Sequence, residues 1–191
     1  MLAWRVVAGL HEGGRFTNGN QNKSGRFTLS VFKTLSIASF TMCVAAAAHA
    51  QAPQTERNVS MAMAQAIIAG TIEQCTKDGF KVTVVIVDKA GMVAASLKGD
   101  GTNPHTMEFA RMKAYTSRTR GQTSLEFLQA SSTPEGALLR QIPGLVAIGG
   151  GIPIKVGAET IGGIGVSGAP GGEKDEACAK AGLAKVADSL R

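Results

Sequence analysis

Aromatic side chains are scarce: Phe, Trp and Tyr make up 5% of the 191 residues, so any core has to be aliphatic. Histidine is scarcer. His11, His49 and His105 are the three in the chain, and only His105 lies beyond residue 50. Cysteine also numbers three, Cys43, Cys75 and Cys178. Two cysteines and one histidine beyond residue 50 are too few for a protein-only zinc site. No apolar run approaches the roughly 18 residues that a membrane anchor requires. No Ala or Gly precedes Cys43, as lipid attachment would want, and no Arg-Arg pair marks a twin-arginine route. A strong charge surplus is missing from most of the chain too. The net charge is +6, but Arg5, Arg15, Lys23, Arg26 and Lys33 against Glu12 place +4 of it in residues 1–50, leaving +2 for the rest. That near balance removes the main support for a nucleic-acid partner. At 44% hydrophobic and 18% charged, the composition excludes a disordered or collagen-like chain.

Residues 1–50 read as an address. Lys23, Arg26 and Lys33 precede a run of apolar and small residues from Leu35 to Ala48, and Ala48-His49-Ala50 closes it. A basic region, a short apolar region and an A-x-A site define a secretory signal, with cleavage expected before Gln51. The Gly- and Asn-rich stretch ahead of it lacks apolar periodicity, and translation is expected to start nearer Leu29 or Val31. Cys43 leaves with the signal. Export puts Cys75 and Cys178 where thiols can pair, yet each sits on the apolar side of an expected helix, where free cysteine behaves as a small hydrophobe. The reading favours two buried thiols.

Residues 51–191 suit one domain without internal repeats. Ala64, Ile67, Ile68, Thr71, Ile72 and Cys75 recur at helical spacing, with Asn58 or Ser60 as N-cap and Gly79 as the stop. Phe80 to Val87 is β-branched and predicts a strand. Asp88-Lys89-Ala90-Gly91 gives turn chemistry, and Met92 to Leu97 returns as the second strand of a hairpin. Asn103 and Pro104 open a helix to about Thr116, and Ser124 to Ala130 forms a shorter one. Leu145–Ile148, Ile152–Val156 and Thr160–Val166 predict a three-stranded meander. Ala179, Leu183, Val186 and Leu190 line a last helix. Adjacent strands with short turns pair antiparallel, so the class is α+β.

Gly163-Ile164-Gly165-Val166-Ser167-Gly168 spells G-x-G-x-x-G, but a dinucleotide site needs those glycines to open a helix and a further strand to follow. Pro170-Gly171-Gly172 intervenes, one helix follows, and the match is a coincidence. Eleven glycines between Gly144 and Gly172 instead imply that a ligand or a neighbouring subunit comes close to that backbone. His105 shares a helix face with Phe109 and Met112. It could ligate haem iron with those two walling the macrocycle, act as a general base, or face solvent. Arg111 and Lys113 could pair a propionate or a substrate carboxylate. Ser167 has no evident acid or second histidine for triad chemistry.

Five segments in order carry a resemblance: Asp88-Lys89-Ala90-Gly91, Lys98-Gly99-Asp100-Gly101, Lys113-Ala114-Tyr115-Thr116, Gly149-Gly150-Gly151-Ile152-Pro153-Ile154 and Gly162-Gly163-Ile164-Gly165-Val166-Ser167-Gly168. Over about Asn58 to Leu190 the chain resembles the GlcG/HbpS family of haem-binding and related proteins, whose fold also occurs in the C-terminal part of PduO proteins. The resemblance implies a profilin-like α+β fold, an antiparallel sheet of about five strands with flanking N-terminal, central and C-terminal helices, and homo-oligomers. It also implies haem as the bound group, held by His105 as the metal ligand, with Thr106 and Thr116 as lesser candidates and Arg111, Lys113 or Arg118 near the propionates. After Thr116 the chain departs from the aromatic and proline expected there, reading Ser117-Arg118-Thr119-Arg120-Gly121-Gln122. Family membership leaves function open. A secreted haem-binding protein is the first expectation, and an enzyme or accessory factor for a small oxygenated metabolite is the alternative.

Overall fold

The computed structural model describes residues 53–191; the expected extension and export signal, residues 1–50, lie outside the described residues. Ser60 caps the first helix, α1 (Met61–Lys77), by accepting a hydrogen bond from the Met63 N–H at 3.2 Å. Gly79, at φ 81°, turns the chain away after it, a conformation that costs glycine little. A hairpin follows, β1 (Thr83–Val87) and β2 (Val93–Lys98). Its turn is closed by Asp88, whose carboxylate accepts from the Met92 N–H at 2.8 Å. Helices α2 (Thr106–Arg120) and α3 (Ser124–Ala130) come next, then a 3-10 turn at Ala137–Gln141. Strands β3 (Gly151–Val156) and β4 (Glu159–Ser167), helix α4 (Gly172–Ala184) and a final 3-10 turn at Ala187–Leu190 complete the chain.

The four strands form one antiparallel sheet in the order β2-β1-β4-β3. Its faces are covered unequally. On one face, Val84 and Ile86 of β1 and Ile164 and Val166 of β4 pack with Ile67 and Ile68 of α1 and Ala179 of α4. On the other face, Val85 and Val87 meet Ala110 and Ala114 of α2. Because β1 is buried on both sides, it reads as an unbroken apolar run with no alternation. Full burial of each such Val or Ile is worth about 1.5–3 kcal/mol.

The glycines of β4 answer to α2. A Cβ on Gly165 would collide with the Ala110 carbonyl, and one on Gly163 would meet the Ala114 carbonyl and Ser117. The G-x-G-x-x-G match therefore lies along a strand whose backbone a helix approaches directly, with small residues on both sides.

Four expectations need correction. The last helix stops short of Val186 and Leu190: α4 ends at Ala184, Val186 caps the 3-10 turn that follows, and Leu190 ends that turn. The sheet has four strands, where about five were expected. Leu145–Ile148 forms none, because the Val146 N–H donates to the Thr116 hydroxyl at 2.9 Å in place of a neighbouring strand, and Gly150 at φ 114° breaks its continuity with β3. Helix α2 begins two residues later than Pro104. The Thr106 hydroxyl donates to the Asn103 carbonyl, and His105 occupies the N-cap without a side-chain bond. Finally, Cys75 and Cys178 are joined by a disulfide that closes a separation of 103 residues. The apolar faces that suggested two separate thiols are the faces on which α1 and α4 meet, so both sulfurs arrive at one place.

A bridge between residues this far apart restricts the unfolded chain strongly, by about 2–4 kcal/mol in typical cases. The Cys75→Ala, Cys178→Ala double variant is expected to lose that much stability in denaturant unfolding, and a reductant is expected to shift the parent protein but leave the variant unchanged.

Candidate functional site

Three positions spaced by four residues, His105, Phe109 and Lys113, lie along one face of α2. They border a cleft of about 370 Å³ between the first half of α2, the end of β4 and the start of α4. The imidazole stands at the exposed mouth, edge-on to Phe109 with ring centroids 5.6 Å apart and planes at 87°. Among the described residues the imidazole takes part in no hydrogen bond, so both ring nitrogens are available. Phe109 and Ile148 supply the apolar wall.

The floor is polar. Lys113 is 2% exposed, and its ammonium donates to the Asp175 carboxylate at 2.7 Å and to the Val166 carbonyl at 2.9 Å. The other Asp175 oxygen accepts from the Ala169 N–H at 2.9 Å. Burial raises the Asp175 pKa above the ordinary carboxylate range, outweighing the lowering by the Lys113 ammonium and the Ala169 N–H. Two opposite charges withdrawn from water cost much of what their attraction returns, but removing either alone strands the other. The pair joins α2 to α4 past the end of β4. Gly150 makes room for it, since a Cβ there would press on Asp175 and the Lys113 Nζ.

The remaining candidates are dispersed. Thr106 also borders the cleft, but its hydroxyl lies 2.7 Å from that of Thr83 and donates to Asn103, which anchors the first turn of α2. Arg111 is bonded to Glu108 at 2.6 Å and 3.0 Å on the solvent side. Met112 is half-buried outside the cleft. Thr116 is buried deeper along the helix, where it receives the Val146 N–H. Arg118 donates to the Lys89 carbonyl at the far end of α2. The departure after Thr116 falls there too: Ser117 bonds back to Ala114 under β4, so it leaves the cleft untouched. Asp175 was invisible in the sequence, as nothing local links an acid in the first turn of α4 to a lysine 62 positions earlier.

Residues 59–184 match the family model described as HbpS-like, haem degrading protein HbpS-like. The chain belongs to that family. It is 31% identical to a double mutant of HbpS from Streptomyces reticuli, covering 71% of this chain and 97% of that one with a TM-score of 0.64. It is 29% identical to protein GlcG of Escherichia coli K12 over 114 residues, 60% of this chain and 84% of the relative. A crystal structure of a PduOC–haem complex shares the fold, at 23% identity and TM-score 0.61, covering 66% of this chain and 94% of that one.

Lys113→Met leaves the buried Asp175 carboxylate without its counter-charge and is expected to cost about 3–5 kcal/mol in denaturant unfolding near neutral pH, with much of that recovered in Lys113→Met, Asp175→Leu. Because its folded pKa is raised, the carboxyl favours the native state most below its unfolded value of about 3.9, and this contribution is lost as pH rises through the folded value. Subtracting the Asp175→Asn stability curve from that of the parent should therefore leave a difference that falls with rising pH in that window.

Proposed function

We propose that this chain is an exported haem-binding protein, with His105 as the axial ligand at the mouth of the cleft. The observation that carries the reading is the placement of the one imidazole among the described residues, unengaged and exposed, against the edge of Phe109. An unprotonated imidazole nitrogen is a good ligand for haem iron, and iron so held can bind a further ligand or exchange electrons. Phe109 and Ile148 would shelter one edge of the macrocycle. The family described as haem degrading and the haem complex of a protein with this fold support the choice of group. The described residues offer no complete catalytic constellation, and binding is the function we assign. The polar floor favours a second reading, an enzyme or accessory factor acting on a small oxygenated metabolite.

Export rests on the basic, apolar and A-x-A pattern before Gln51, and the Cys75–Cys178 disulfide supports it, since such bonds persist in oxidising compartments. No helix among the described residues is long and apolar enough to cross a membrane. We place the mature protein in the periplasm or outside the cell. We also assign it a homo-oligomeric state. Leu138 at 70%, Ile142 at 40% and Ile148 at 38% exposure lie on one connecting segment, and Met92, Val93 and Leu97 lie along the β2 edge, surfaces of the kind that subunits cover.

Haemin titrated into the protein should give a saturable, stoichiometric Soret shift, and His105→Ala should change the spectrum of the complex. A flat response in the parent would remove haem. Amino-terminal sequencing of the secreted or periplasmic form should begin at Gln51, and light scattering should give a mass of at least two subunits.

A further inference from the structure

Ser167 closes β4 and is 5% exposed. Opposite Thr83 in the sheet register, it shares the α2 face with Gly163 and Gly165 and borders the cleft. No hydrogen bond uses its hydroxyl among the described residues. Beside it, the Lys113 ammonium has three N–H groups and uses two of them, on Asp175 and the Val166 carbonyl. Helix α4 starts at the same place. Its N-cap, Gly171 at φ 117°, offers no side-chain bond to the first turn, which carries Glu173 and Asp175, and Gly171 and Gly172 border the cleft, so backbone N–H groups at the start of the helix face it. Both Asp175 oxygens are hydrogen-bonded and Glu173 is exposed; Glu176, the next residue of α4, keeps a buried oxygen without a partner but is not among the residues that line the cleft. The floor thus holds an unused Lys113 N–H and the buried, unpartnered Ser167 hydroxyl.

We propose that the cleft floor is a carboxylate subsite, in which the Ser167 hydroxyl and the remaining Lys113 N–H, at the open start of α4, receive one carboxylate of the bound ligand. The Lys113–Asp175 pair is neutral as a unit, and the Ala169 N–H and the α4 dipole offset the Asp175 charge further, so an incoming anion meets a net donor surface. The inference rests on the haem reading only for the source of the carboxylate: a haem propionate and a small organic acid carry the same group.

The test compares haemin with haemin dimethyl ester, whose propionates are uncharged, by absorbance titration of the purified full chain and of Ser167→Ala. Sodium propionate alone is titrated in parallel and followed by the backbone amide resonances of residues 167–175. The subsite predicts that the acid outbinds the ester by about ten-fold, the scale of one charge-assisted hydrogen bond, and that Ser167→Ala erases the preference. If haemin does not bind, saturable propionate shifts that Ser167→Ala removes would keep the subsite and end the haem reading. Equal affinity for acid and ester, with propionate shifts absent or indifferent to the substitution, would overturn the subsite and leave haem binding through His105 in place. The acid–ester comparison in the unsubstituted chain decides the matter even if Ser167→Ala fails to fold.

Discussion

The architecture of the site depends on one close approach, α2 lying against the glycine face of β4. Ala110 and Ala114 meet Gly163 and Gly165 with no room for a Cβ on the strand. Any larger residue on either side would lift the helix. The approach sets the depth at which Lys113 sits, low enough for its ammonium to reach the Val166 carbonyl and pass to Asp175. It also sets which of the α2 side chains can reach a ligand. His105, Thr106, Phe109 and Lys113 point along the cleft, while Arg111 and Met112 turn away from it. Glycine-rich strands forgo side-chain packing and cost conformational entropy; here the return is a helix seated close enough to line a site.

Helix α4 transmits that arrangement to the other face of the sheet. Asp175 and Cys178 are three residues apart, less than one turn, so the first carries the ion pair to α2 and the second the disulfide to α1. A helix held at both points cannot rotate without breaking one of them. The geometry of the cleft is thus tied to a covalent bond in the opposite layer, and loss of the bridge reaches the floor of the site through a single turn of helix.

Much of this was legible in the chain. Helical spacing from Ala64 to Cys75, the β-branched run through Val87, the Asp88 turn and the Ser124–Ala130 helix were all readable, because each depends on neighbours within a few residues. The glycine density announced a close approach, but the partner at Gly163 and Gly165 is α2 of the same chain, where a ligand or a neighbouring subunit was expected. What failed depended on distant contacts. Leu145–Ile148 has the composition of a strand, and Thr116, some thirty residues away, takes its hydrogen bond. Cys75 and Cys178 each looked like a small hydrophobe because each is one, and the bridge follows only from how two helices dock. Lys113 could be chosen as a charged residue near the site, but its burial and its pairing with Asp175 belong to tertiary structure alone.

Mouth and floor of the cleft contribute differently to the fold, and this bears on how one scaffold serves different ligands. His105 is exposed and takes part in no hydrogen bond among the described residues, so its replacement takes little from stability. The floor cannot vary so freely. Lys113 and Asp175 are each 3% exposed or less, and substituting one without the other leaves a buried charge unpaired. A lineage built on this frame can therefore change its chemistry at the mouth one residue at a time, whereas the floor must be kept or replaced as a pair.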